Sequence, residues 1–99
     1  MPAYVVAFVN PTDMEAMQEY GSKVMAVTES FGGRYLSVGP GIETLEGDWQ
    51  PQAMAIIEFP SRADAQRWYS SAEYAPLIAF RQQAGETGMV LTPDTDAQV

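Results

Sequence analysis

Ala53-Met54-Ala55-Ile56-Ile57-Glu58-Phe59-Pro60 is the most apolar stretch of the chain, and how it is read decides the fold. Its isoleucines and phenylalanine suit a pleated strand, and Pro60, with no N–H to give to a ladder, stops it. In a strand Met54, Ile56 and Glu58 point one way, and Ala55, Ile57 and Phe59 the other. Both sets are largely apolar, which is the pattern of a central strand covered on both faces.

Upstream, Tyr4-Val5-Val6-Ala7-Phe8-Val9 reads as a further strand, ended by Asn10-Pro11. Thr12-Asp13-Met14-Glu15 matches a capping box with Thr12 at the N-cap and Glu15 at N3. Met17, Tyr20, Val24, Val27 and Phe31 then form an amphipathic helical stripe, closed by Gly32-Gly33. Arg34-Tyr35-Leu36-Ser37-Val38 resumes strand character and Gly39-Pro40-Gly41 interrupts it. Residues 42–51 read as an irregular, acidic connection carrying Glu43, Glu46 and Asp48.

Downstream, Ser61 caps a second helix with Asp64 three residues on and Ala65, Trp68 and Tyr69 on its inner side. Ser71-Ala72-Glu73 reads as a break and a new cap. Tyr74, Leu77, Ile78 and Arg81 fit a further short helix with Pro76 in its first turn. Gly85 ends it, and Met89-Val90-Leu91 forms a last short strand. The order β-α-β-β-α-(α)-β is the split βαβ arrangement of ferredoxin-like α+β folds: an antiparallel four-stranded sheet with its helices on one face. The other, apolar face needs a cover, and a second copy of the sheet supplies it, so a homodimer is expected. All 99 residues form one domain, with a core over about residues 3–92 and a polar, frayed tail over 93–99.

Composition excludes whole classes of chemistry. With 46% hydrophobic and 18% charged residues the chain is globular. It holds no cysteine and no histidine, which removes disulfides, thiol and Ser-His-Asp catalysis and the ordinary zinc, copper and haem ligand sets. No metal is therefore expected, and no cofactor is assigned. A general acid or base must be a carboxylate, a tyrosine or the single lysine, Lys23. The formal net charge of -8 opposes binding to nucleic acid or to anionic membranes. There is no apolar run of spanning length, and Met1-Pro2-Ala3-Tyr4 has no signal-peptide pattern, so cytoplasmic residence is the expectation.

Against this background a few residues stand out. Glu58 is a carboxylate in an apolar strand, where burial raises a carboxyl pKa towards that of a general base. It could equally pair with Arg34 and only hold structure. Trp68, Tyr69, Ser71 and Tyr74 lead along the chain to Arg81, and such a set could hold a planar organic anion, rings stacking and Arg81 taking a carboxylate. The alternative is a packed aromatic core. Arg34 is either a ligand anchor or a cation offsetting a helix C-terminus. Glu46-Gly47-Asp48-Trp49 is either a lid with weak Mg²⁺ affinity or a solvated loop. Gly39-Pro40-Gly41 lacks the context of a phosphate loop.

Taken together, Tyr4-Val5-Val6, Gly32-Gly33-Arg34-Tyr35-Leu36, Glu46-Gly47-Asp48-Trp49, Ile57-Glu58-Phe59-Pro60-Ser61 and Trp68-Tyr69-Ser70-Ser71-Ala72-Glu73-Tyr74 running to Arg81 resemble the bacterial family called domain of unknown function 1330, from about Tyr4 to Leu91. The resemblance implies the dimeric α+β barrel superfamily, in which two ferredoxin-like subunits pack sheet against sheet. Its relatives include monooxygenase-like and isomerase-like enzymes that act without metal or flavin on small cyclic or aromatic ligands. The polar positions shared with the family pattern are Arg34, Glu58, Trp68, Tyr69, Ser71, Tyr74 and Arg81. Three readings stay open: a cofactor-independent enzyme with Glu58 or Tyr74 moving a proton, a non-catalytic binder of a small organic acid or aromatic ligand, and a structural dimer. Whether the chain is an enzyme is undecided at this level.

Overall fold

In a computed structural model that describes residues 1–93, the chain runs β1 (Ala3–Pro11), α1 (Met14–Ser30), β2 (Arg34–Pro40), β3 (Ala53–Phe59), α2 (Arg62–Tyr69), α3 (Ala75–Ala84) and β4 (Gly85–Leu91). The tail expected to fray lies, apart from Pro93, outside the described residues. The four strands form one antiparallel sheet in the order β2-β3-β1-β4. This is the ferredoxin-like arrangement expected from the sequence. No helix among the described residues is long and apolar enough to cross a membrane.

Three local expectations are corrected. The N-cap of α1 is Asp13 and not Thr12: the Asp13 carboxylate accepts from the Ala16 N–H. Thr12 is instead taken up by the end of α3, where its N–H and its hydroxyl both donate to the Ala84 carbonyl. Gly39-Pro40 does not interrupt β2, because Gly39 pairs with Met54 and Pro40 with Ala53 at the edge of the sheet, a place where a missing N–H costs nothing. The irregularity falls earlier, at a bulge between Tyr35 and Ser37. The β4 strand also starts sooner than expected, at Gly85, which pairs with Pro11.

Several contacts fix the frame. Gly32 takes φ +88° after the C-cap Phe31, the left-handed conformation that suits glycine. A Cβ on Gly85 would lie 2.5 Å from the Asn10 carbonyl oxygen, so only glycine lets β4 begin this close to the end of β1. Ser61 caps α2 as expected, accepting from the Asp64 N–H. Ser71 joins the next two helices, donating to the Trp68 carbonyl at 2.8 Å and accepting from the Tyr74 N–H at 3.1 Å.

The core lies on the helix-bearing face, where Val5, Ile57 and Phe59 meet Val24, Ala65, Trp68, Tyr74 and Leu77. The largest fully buried side chains there are Trp68, Tyr74, Phe59 and Thr28. The opposite face carries rows in register. Val90, Val6 and Ile56 form one row across β4, β1 and β3, and Gly88, Phe8, Met54 and Gly39 form the next. Phe8 lies over Gly88 and meets the Trp49 ring edge-on at 5.4 Å, so the 41–52 connection folds towards this face.

Candidate functional site

The helix-facing side chains of the sheet change size along its length. At one end Val5, Ile57 and Phe59 are large and fill the core. At the other, β1 and β3 present Ala7, Ala53 and Ala55, with Ala7 paired to Ala55. Helix α1 packs chiefly against α3, and over these alanines it leaves a cavity of about 330 Å³. Met17, Gly21 and Val24 of α1 roof it, and Met14, Met25 and Val38, all well exposed, stand at its mouth. The alanine floor and the glycine at position 21 therefore leave room that larger side chains would have closed.

Arg81 on α3 contributes to the cavity wall and is only 4% exposed. Its Nη1 donates to the Thr87 hydroxyl at 2.9 Å, while Nε is buried without a partner. Among the described residues no carboxylate lies within salt-bridge distance of it. A guanidinium stays charged at every accessible pH, and a buried cation without a counter-charge is costly. Its place in the last turn of α3 offsets part of that cost through the helix dipole.

Two tyrosines join it. Tyr20, on the cavity wall, and Tyr74, behind it, meet hydroxyl to hydroxyl at 2.9 Å. Burial pushes the Tyr20 phenol well above its ordinary range, and the neighbouring Tyr74 adds to the effect. Burial raises Tyr74 too, while its bond to Tyr20 and the Arg81 guanidinium pull the other way. Both therefore stay protonated and act as donors. Tyr35 also lines the cavity, also raised by burial. Its hydroxyl is 3.2 Å from the Thr28 hydroxyl, whose own proton goes to the Val24 carbonyl at 2.8 Å, so the Tyr35 proton is the one shared between them.

The residues singled out from sequence fall into separate places. Arg34 and Glu58 face each other across β2 and β3 on the helix-free side, joined at 2.8 Å, with the Tyr4 hydroxyl donating to the other Glu58 oxygen at 3.3 Å. Tyr4, Glu58 and Arg34 are thus one cross-strand row. Trp68 and Tyr74 stack on each other at 4.3 Å, both buried, so each spends a ring face on the other. Tyr69 was expected on the inner side of α2 but is 45% exposed, meeting both rings edge-on. Ser71 serves the turn described above. Arg81 is the residue of that set that reaches the cavity. Glu58 and Tyr74 are on opposite sides of the sheet and do not form one site. The Glu46–Trp49 segment lies away from the cavity wall.

Sequence reasoning missed Tyr20, Tyr35 and Thr28 as polar members of the helix-facing side. The run of alanines alternating along one face of β1 and β3 was the available signal for a cavity, because alanine in a central strand withholds volume.

The model of a family described as domain of unknown function, DUF1330, matches residues 2–95. Among solved structures, a protein of unknown function from Rhodopseudomonas palustris superposes with TM-score 0.74 at 22% identity, over 91% of this chain and 79% of that one. A protein from Bacillus halodurans described as of the ethd family gives 0.68 at 15% identity, over 96% of this chain and 100% of that one. A protein from Jannaschia sp. CCS1, described as dimeric and ferredoxin-like and of unknown function, gives 0.66 at 12% identity, over 100% of both chains. These likenesses show the fold.

Proposed function

The chain belongs to the DUF1330 family, and we propose that it is a homodimeric binding protein for a small, mostly apolar organic acid, held between α1 and the sheet. The observation that carries the reading is Arg81: a buried guanidinium with an unpartnered Nε, set in the wall of an otherwise apolar cavity. A cationic group in that setting is stabilised by an anion that brings its own apolar body. Binding is favoured over turnover because the polar lining residues are Arg81, Tyr20, Tyr35 and Gln52, none of them suited to act as a general base near neutral pH.

Dimerisation supplies the cover that the helix-free face lacks. Val90 is 64% exposed there, in register with Val6 and Ile56, and a contiguous apolar face of this kind marks an interaction surface. The dimeric description of structural neighbours from Jannaschia sp. CCS1 and Thermobifida fusca supports the same assembly. The Tyr4–Glu58–Arg34 row would then sit in the subunit interface.

Native mass spectrometry of the protein purified gently from its own host tests the proposal. A dimer carrying an organic acid that is released on Arg81→Met substitution is the expected result. A monomer, or a protein that no organic acid shifts in a thermal screen, would overturn it.

A further inference from the structure

The cavity wall also restricts which acid can enter, and the restriction comes from counting its donors. Arg81 brings the one formal charge on the wall, and its Nη1 is already given to Thr87. The Tyr20 and Tyr74 hydroxyls share one contact, which uses one of their two protons. Either hydroxyl can supply it; an anion on the cavity side, where Tyr20 lies and Tyr74 does not, selects the arrangement in which Tyr74 donates to Tyr20. The Tyr20 proton is then free on the cavity side. Tyr35 adds none, because its proton is engaged by Thr28.

One guanidinium and one phenolic O–H meet two oxygens sharing a single negative charge, which is a carboxylate. Beyond them and the exposed Gln52, the wall is mostly alanines, valines, an isoleucine and the methionines Met14, Met17, Met25 and Met89. A second carboxylate carried deeper into that wall would be buried without a partner. A neutral head group would leave Arg81 uncompensated.

Size and texture narrow the body of the ligand. At roughly 30 Å³ per water-sized group, about 330 Å³ holds on the order of eleven heavy atoms. The flexible thioether side chains of Met14, Met17, Met25 and Met89 adapt to a flexible chain and impose no planar slot. The stacked rings of Trp68 and Tyr74 lie outside the cavity, and the rings on its wall, Tyr20 and Tyr35, come from separate elements, α1 and β2.

Resting on the binding reading given above, we infer that the cavity takes a saturated aliphatic monocarboxylate of about eight carbons, its carboxylate received by Arg81 and the Tyr20 hydroxyl, and discriminates against dicarboxylates and neutral analogues.

Isothermal titration of the full-length protein with octanoate, octanedioate, 1-octanol and 2-naphthoate tests this. Octanoate should bind at least tenfold more tightly than each of the other three, and Arg81→Met should abolish its advantage over octanol. Ala55→Leu and, separately, Gly21→Leu, which fill the cavity from floor and roof, should each weaken octanoate. If octanedioate, octanol or 2-naphthoate matches octanoate, the monocarboxylate assignment fails while the binding reading stands. Octanoate affinity unchanged in a folded cavity-filled variant would place the ligand elsewhere and overturn the assignment. If none of the four probes binds, both readings fail together.

Discussion

Tyr20 of α1 and Tyr74 at the start of α3 meet through their hydroxyls at 2.9 Å although 54 positions separate them. Burial raises both phenols, and that has a consequence at high pH. Below about pH 10 the phenols are protonated in folded and unfolded chains alike, and their neutrality costs nothing. Above it the unfolded chain releases these protons while the folded one holds them, so stability falls as pH rises. The slope is about 1.4 kcal/mol per pH unit for each phenol held neutral, with Tyr35, the more solvent-screened, adding less. Urea midpoints from pH 8 to 11 should be flat and then fall beyond about pH 10, less steeply in Tyr20→Phe. An unchanged slope in that variant would contradict the assignment.

The dimer is tested on the Val90–Val6–Ile56 row. Val6→Glu places a charge at the centre of the helix-free face, where burial against a partner would leave it unpaired. Sedimentation should show the wild type as a dimer at micromolar concentration, and the variant weakened by about tenfold or more. A wild-type monomer would refute the proposed assembly.

Glu58→Gln separates the two sides of the sheet. It removes the charge that pairs with Arg34 and leaves one acceptor oxygen where two served Arg34 and the Tyr4 hydroxyl, but Glu58 does not line the cavity. The dimer should loosen while affinity for a cavity ligand measured at saturating protein concentration stays within about twofold, a change worth less than 0.5 kcal/mol. Loss of ligand affinity with an intact dimer would instead bring Glu58 into the site.

Two glycines should respond in opposite directions. Gly85→Ala drives a methyl into the Asn10 carbonyl and the Pro11 backbone and should cost roughly 1–3 kcal/mol or more. Gly21, in the middle of α1, has nothing within 4 Å of an added Cβ, so Gly21→Ala should gain up to about 1 kcal/mol from helix propensity. Chemical denaturation of the two variants measures both. A gain at Gly85 would mean that β4 can start elsewhere.

Most of the architecture was legible because strand and helix periods leave different marks. Ala53–Phe59 was read to its ends, and the α1 stripe of Met17, Tyr20, Val24, Val27 and Phe31 matches the inward positions of the helix. What misled was local competition. Thr12 and Asp13 are both good caps, and the choice was settled by a distant partner, the Ala84 carbonyl, which sequence spacing does not reveal. Alternation correctly set Glu58 opposite Phe59, but could not say which face the helices would cover. The site itself was half hidden. Arg81 was visible as a lone cation at the end of an aromatic helix, whereas the cavity is made by what Ala7, Ala53, Ala55 and Gly21 withhold.

The central claim is that Arg81 is kept for a ligand and not for the fold. It is tested most directly by the melting temperature of Arg81→Met, measured without ligand and with saturating octanoate. Removing a buried cation that lacks a counter-charge and replacing it with an apolar chain of similar reach is often neutral or stabilising. The ligand-free variant should therefore melt at or above the wild-type temperature, and the upshift that octanoate gives the wild type should vanish. A variant that melts several degrees lower yet keeps the octanoate shift would show that Arg81 serves the fold and that the acid, if it binds, is held elsewhere.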